Sequence, residues 1–144
     1  MPTPVTTETR PTHDASPHPA LGRMAVGGFF LVMGGVHLGL VAADPQVYEH
    51  FADHGLFGFV RTGWREIVMS SPSVYGLLLM AGEVTSGALL LTGGRAARAG
   101  WVAVIAFHAL LLFFGWGIWA WSVPALVVLV TLARRDWTRL AGAR

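Results

Sequence analysis

The chain has 144 residues, of which 53% are hydrophobic and only 12% charged, with a mean hydropathy of +0.55; this lies outside the range of soluble domains of its length and reads as one small membrane domain. Its ten basic residues are all arginine, and they flank apolar segments without forming a patch on a soluble face, which excludes nucleic acid as a partner and leaves them as topology determinants. The absence of cysteine excludes disulfides, thiolate metal sites and cysteine-based relays, so any redox role would need a cofactor or another subunit.

Residues 1–22 are rich in proline and threonine and almost free of large apolar side chains, so they cannot bury enough surface to offset chain entropy. A disordered cytoplasmic tail is expected there, with His13 and His18 as solvated histidines. The membrane domain follows over residues 23–137, and 138–144 form a short basic tail.

The first spanning helix is expected over 24–43. At twenty residues it exceeds the apolar core of a signal peptide, about 7 to 15 residues, although Val41-Ala42-Ala43 resembles a cleavage site. Gly35 and Gly39 make a GxxxG pair, read as packing within the chain. His37 lies toward the end of this span.

Residues 44–73 turn amphipathic. Asp44 followed by Pro45 is an N-cap with proline at the first helical position. On a helical wheel Tyr48, Phe51, Ala52, Leu56 and Phe59 fall on one side, opposite Glu49, His50, Asp53 and His54, as in an interfacial helix. Gly55, Gly58 and Gly63 are expected to break or bend it, and Trp64 and Ile67 to anchor a second short piece. His50 and His54 share a face at a spacing that suits a divalent metal, with Glu49 and Asp53 beside them. Without H-E-x-x-H no general base stands between the histidines, and the polar face of an interfacial helix yields the same letters, so no metal is assigned.

The second span, 74–92, rises about 1.5 Å per residue and so crosses a hydrocarbon core of about 30 Å with one charged residue, Glu83, near its middle. A mid-membrane carboxylate costs roughly 2.5 to 3.5 kcal/mol, so Glu83 should be protonated, paired or turned to other helices. Gly82, Ser86 and Gly87 beside it let a neighbour approach.

The uncharged run 99–133 would make one helix roughly 52 Å long, too long for a bilayer. Two spans, 99–115 and 117–133, with a turn at Gly115-Trp116-Gly117, fit better. Trp116, Trp119 and Trp121 would mark one interface, Trp101 and Trp137 the other, and Pro124 should kink the last helix. This gives an all-α, compact four-transmembrane-helix bundle with an amphipathic interfacial segment between helices 1 and 2. With both termini cytoplasmic, eight of the ten arginines fall inside and only Arg61 and Arg65 outside, so the positive-inside rule selects this arrangement, in a cell (inner) membrane.

Glu83, His37 and His108 then lie in the central half of the bilayer. They form an intramembrane polar cluster: a structural one with Glu83 bonded to His37 or His108, a pocket for a proton relay, a quinone or another small ligand, or a bis-histidine haem on His37 and His108. No cofactor is required by these residues, and no catalytic motif is present.

The run Gly82 to Gly100, GEVTSGALLLTGGRAARAG, with Gly35-Val36-His37-Leu38 in the first helix, resembles the DoxX-like membrane proteins. The resemblance covers about 24–133, and the insert 44–73 and the tryptophan-rich 115–124 depart from it. It implies a compact inner-membrane four-helix bundle, in a family where some members associate with quinone-linked or thiol-related oxidoreductases; the plain apolar helices and the lack of a catalytic motif favour a non-enzymatic membrane subunit or small-ligand-binding protein. The four-helix vitamin K epoxide reductases are similar too, but their chemistry needs cysteines. The alternative function is the membrane subunit of a quinone-linked oxidoreductase, with Glu83 and His37 or His108 transferring protons. The partners are the lipid bilayer and, for a subunit, another membrane or oxidoreductase subunit.

Overall fold

The structure, a computed structural model, describes residues 18–142. The expected disorder of the N-terminal tail, with His13, lies outside the described residues, as does Arg144. Six α-helices follow one another: α1 (His18–Ala43), α2 (His50–His54), α3 (Gly58–Glu66), α4 (Pro72–Thr92), α5 (Gly94–Leu110) and α6 (Trp116–Gly142), with short 3-10 turns at Pro45–Glu49, Val68–Ser70 and Leu111–Phe113. Four of them, α1, α4, α5 and α6, are long and apolar enough to cross a membrane, and the chain is a multi-pass membrane protein. Their outward faces carry Val32, Val36, Leu78, Val102, Val127 and Val128 exposed, the surface that lipid covers.

The four spans form a ring in which α1 packs on α4, α4 on α5, α5 on α6, and α6 returns to α1. The α1–α4 seam is the tightest. Gly87 meets the backbone of α1 there, and a Cβ on it would stand 2.7 Å from the carbonyl oxygen of Gly27. The expected pair Gly35 and Gly39 does not serve this purpose, since a Cβ at either would meet nothing within 4 Å. The stripe that faces the bundle is Gly27, Phe30, Gly34 and His37, spaced three and four apart, and Gly35 and Gly39 lie off it. Between α1, α4, α5 and α6 the core is Phe30, Leu90, Trp101, Val104, Leu129 and Ala133.

Helix boundaries differ from hydropathy in a regular way. α1 begins at His18, so 18–22 belong to the span helix and not to the tail. Gly93 and Gly94 have φ of 82° and 56° and make the reversal by themselves, so Arg95 and Arg98 sit in the first turns of α5 and not in a loop. α6 continues past residue 133, and Pro124 lies inside it without ending it.

Segment 44–71 folds over one end of the bundle. Asp44 caps its first turn, its Oδ1 accepting from the Gln46 N–H at 2.9 Å. Tyr48 and Ala52 are buried, but Leu56 and Phe59 are exposed, because the chain turns at Gly55 and α3 leaves in a new direction. Gly63 sits inside α3 and breaks nothing. Trp64 turns inward, its Nε1–H donating to the Tyr48 carbonyl at 2.7 Å, while Ile67 is exposed. Backbone bonds from Leu56 N to Phe113 O (2.8 Å) and from Gly115 N to His54 O (2.6 Å) tie this cap to the α5–α6 turn.

Candidate functional site

Glu83 projects from the middle of α4 into the bundle and is 3% exposed. Its phase on the helix follows from the small residues: Gly76, Glu83, Gly87 and Leu90 all lie on the buried face. Oε1 stands 3.6 Å from His37 Nε2. On the other edge of that imidazole, Nδ1 and the Tyr48 hydroxyl are 2.8 Å apart, with the two rings stacked at 5.8 Å. With Nε2–H turned toward the carboxylate, Nδ1 is the lone-pair side and accepts from the Tyr48 O–H. A carboxyl, an imidazole and a phenol therefore follow one another from mid-membrane to the cap.

Tyr48 is 2% exposed beneath an aromatic cover of Phe51, Trp64 and Phe114, whose centroids lie 5.3 to 6.3 Å apart. Burial holds its phenol above the ordinary range, and the charge of Glu83 acts in the same direction. In the sequence Tyr48 reads as part of an apolar face and carries no mark of a site residue. Its one signal is position, four residues after the N-cap Asp44 in the turn that brings the chain back over α1.

The second carboxylate oxygen, Glu83 Oε2, is buried without a hydrogen-bond partner among the described residues. Glu83 lines a cavity of about 290 Å³ between α4 and α5, whose walls are otherwise almost entirely apolar, with Leu79, Ala103, Ala106 and Phe107 among them. Ser86 also lines it, its hydroxyl donating to the Gly82 carbonyl at 2.7 Å. Gly82 does not admit a neighbouring helix; its Cα opens on the cavity, and a methyl placed there would meet nothing within 4 Å.

His108 joins neither Glu83 nor His37. It is 3% exposed on α5, and its Nδ1–H donates to the Val104 carbonyl at 3.0 Å, between the rings of Phe30 and Phe107. Phe107 faces the Glu83 cavity, and His108, about 100° further round the helix, lines a different cleft between α1 and α6. His37 turns Nδ1 to Tyr48 and Nε2 toward Glu83, whereas His108 lines the other cleft.

The helical face with Glu49, His50, Asp53 and His54 is exposed. Asp53 pairs with Arg65 at 2.8 Å, and among the described residues no three histidine or carboxylate side chains gather as a metal site.

A second polar cluster, invisible to spacing within one helix, closes the other end. Asp136 on α6 is 3% exposed and accepts at Oδ2 from Trp101 Nε1–H at 2.9 Å and from Arg23 Nη1 at 3.4 Å. Trp101 is thus a core residue and not part of an interfacial belt; Trp137 is partly exposed and stacks under the Arg98 guanidinium at 5.4 Å. The signal for Asp136 was its place on the buried stripe of α6 with Ser122, Leu129 and Ala133.

Comparison of the chain with protein-family models, with curated proteins and with solved structures finds no match.

Proposed function

We propose that the chain, a membrane bundle resembling the DoxX-like proteins, is a small-ligand-binding protein that seats a lipophilic molecule against Glu83. One observation carries this reading: a buried carboxylate oxygen without a partner among the described residues, on the wall of an apolar cleft in the membrane domain. An unsatisfied buried acceptor costs roughly 1 to 3 kcal/mol, and a ligand that hydrogen-bonds to it removes that cost. Apolar walls with a single polar anchor are the usual design of small-molecule sites. Both termini are placed in the cytoplasm of a cell-membrane protein, on the arginine bias.

A second reading follows from the line Glu83, His37, Tyr48. Each member can give and take a proton, so a quinone in the cavity could draw protons through Glu83 while a partner oxidoreductase subunit supplied the electrons. The chain would then be the membrane subunit of a quinone-linked enzyme.

Purified protein in nanodiscs, extracted for lipids and titrated with a short-chain benzoquinol, whose hydroxyl can donate to Glu83 Oε2 where a quinone carbonyl cannot, tests both. Binding that falls at least tenfold in Glu83→Gln and in Ala103→Phe, which fills the cavity, supports a ligand site at Glu83. Equal binding by all three proteins removes it. Slowed proton release when the bound quinol is oxidised by two equivalents of ferricyanide in Tyr48→Phe, with binding kept, separates the oxidoreductase reading from simple binding.

A further inference from the structure

The α1–α6 seam is the loosest in the ring, and it holds a cleft of about 470 Å³. That is small-molecule size, within the roughly 300 to 1,000 Å³ of ligand sites. Phe29, Phe30, Trp121, Pro124 and Leu129 supply apolar and aromatic wall, Phe29 and Trp121 facing each other at 6.1 Å.

The wall has one imidazole, His108. Val104 O can only accept, so Nδ1 carries the hydrogen of that bond; in the neutral ring Nε2 is then a lone-pair acceptor. No described residue bonds to Nε2, although the residue is only 3% exposed. A lipid acyl chain in the cleft would leave this nitrogen unpaired. A quinone carbonyl would too, because it is also an acceptor. A hydroxyl pairs it.

We infer that the α1–α6 cleft is a second binding site, distinct from the Glu83 cavity, for a lipophilic ring compound that carries a hydroxyl donor, the hydroxyl donating to His108 Nε2 and the ring lying against the aromatic wall of Phe29 and Trp121. Phe30 lines both cavities and separates the two sites, the carboxylate on one face of its ring and the imidazole acceptor on the other.

The test uses the full chain in phosphatidylcholine nanodiscs, with Ala103→Phe in every chain, the otherwise wild-type one included, to close the Glu83 cavity, 2-naphthol and 2-methoxynaphthalene as probes and empty nanodiscs as the partition reference in equilibrium dialysis. The wild type binds the naphthol about tenfold more tightly than the ether, the size of effect that one buried hydrogen bond carries. His108→Phe keeps the wall and loses the preference, and Glu83→Gln retains it. Ala25→Phe fills the cleft without touching His108 and abolishes binding of both probes, which keeps the test open should His108→Phe fail to fold. Equal affinity for the two probes in the wild type, a preference that survives Ala25→Phe, or one that disappears in Glu83→Gln overturns the assignment.

Discussion

His37 Nδ1 and the Tyr48 hydroxyl stand 2.8 Å apart, a single side-chain bond that joins the first span to the cap folded over it. Tyr48 also fits against Gly76 of α4, where a Cβ would come within 2.8 Å of its ring. The cap is therefore held by the same residue that ends the line from Glu83.

Tyr48→Phe keeps the ring and its packing and removes only the hydroxyl, leaving His37 Nδ1 unsatisfied. The expected loss is about 1 to 2 kcal/mol of stability, read from thermal unfolding in detergent. The pH dependence is more diagnostic. Burial, and then the Glu83 charge, raises the Tyr48 phenol; its contribution to stability is complete below the unfolded value of about 10 and is lost as pH rises through the higher folded value. In a Tyr75→Phe background, tyrosinate absorbance should therefore appear late, and earlier again when Glu83 becomes Gln. Titration of Tyr48 at or below the unfolded value would contradict its burial beneath Phe51 and Trp64.

Glu83 itself separates shape from charge. Glu83→Gln keeps a carbonyl acceptor beside His37 and should unfold within about 1 kcal/mol of wild type, whereas Glu83→Leu strands His37 Nε2 and should cost about 1 to 3 kcal/mol. If Leu is as stable as wild type, the contact with His37 contributes nothing.

The four spans were legible because length and apolarity alone decide whether a helix crosses a bilayer, and Glu83 was legible because a carboxylate in such a helix must have a reason. Which histidine it meets was not. His37 and His108 are both on the buried stripes of their helices, and the choice depends on rotational phase: Phe107, one residue before His108, occupies the face toward Glu83. The Asp136 cluster draws on α1, α5 and α6 at once, so no single-helix pattern contains it. The GxxxG pair misled for a related reason, since its spacing was right and its face was wrong.

The glycines of α1 and α4 give a contrast that tests the seam directly. A methyl on Gly87 would stand 2.7 Å from the Gly27 carbonyl oxygen and 3.1 Å from Leu31 Cγ, and the backbone oxygen cannot move aside. Gly87→Ala should cost about 1 to 3 kcal/mol by overpacking. Gly35→Ala meets nothing and should be neutral or stabilising by up to about 1 kcal/mol, the helix propensity gained. Equal effects of the two in a thermal melt would mean that α1 is rotated from the phase described.

Asp136 supplies one acceptor for two helices. Asp136→Ala removes the partner of both Trp101 and Arg23 and should destabilise the bundle by about 1 to 3 kcal/mol. Asp136→Asn retains an oxygen for the Trp101 indole and should recover part of that loss. Tryptophan fluorescence, through the altered polarity around Trp101, reports the same order: wild type, Asn, Ala.

Orientation can be tested on the native background because the chain has no cysteine. Single cysteines at Thr3, Gly63, Arg95 and Gly142 sample the N-terminal tail, the cap, the α4–α5 reversal and the end of α6. Arg95 is used because it is exposed and follows Gly94, whose φ of 56° would strain any replacement there. The arginine bias puts three of the sites on the cytoplasmic side. In intact cells a membrane-impermeant maleimide should therefore label only Gly63→Cys, and the other three should react only after permeabilisation. Labelling of Arg95→Cys from outside, with Gly63→Cys protected, would invert the bundle and place the Tyr48 end of the Glu83 line toward the cytoplasm; labelling of Gly142→Cys together with Gly63→Cys would mean that α6 does not cross.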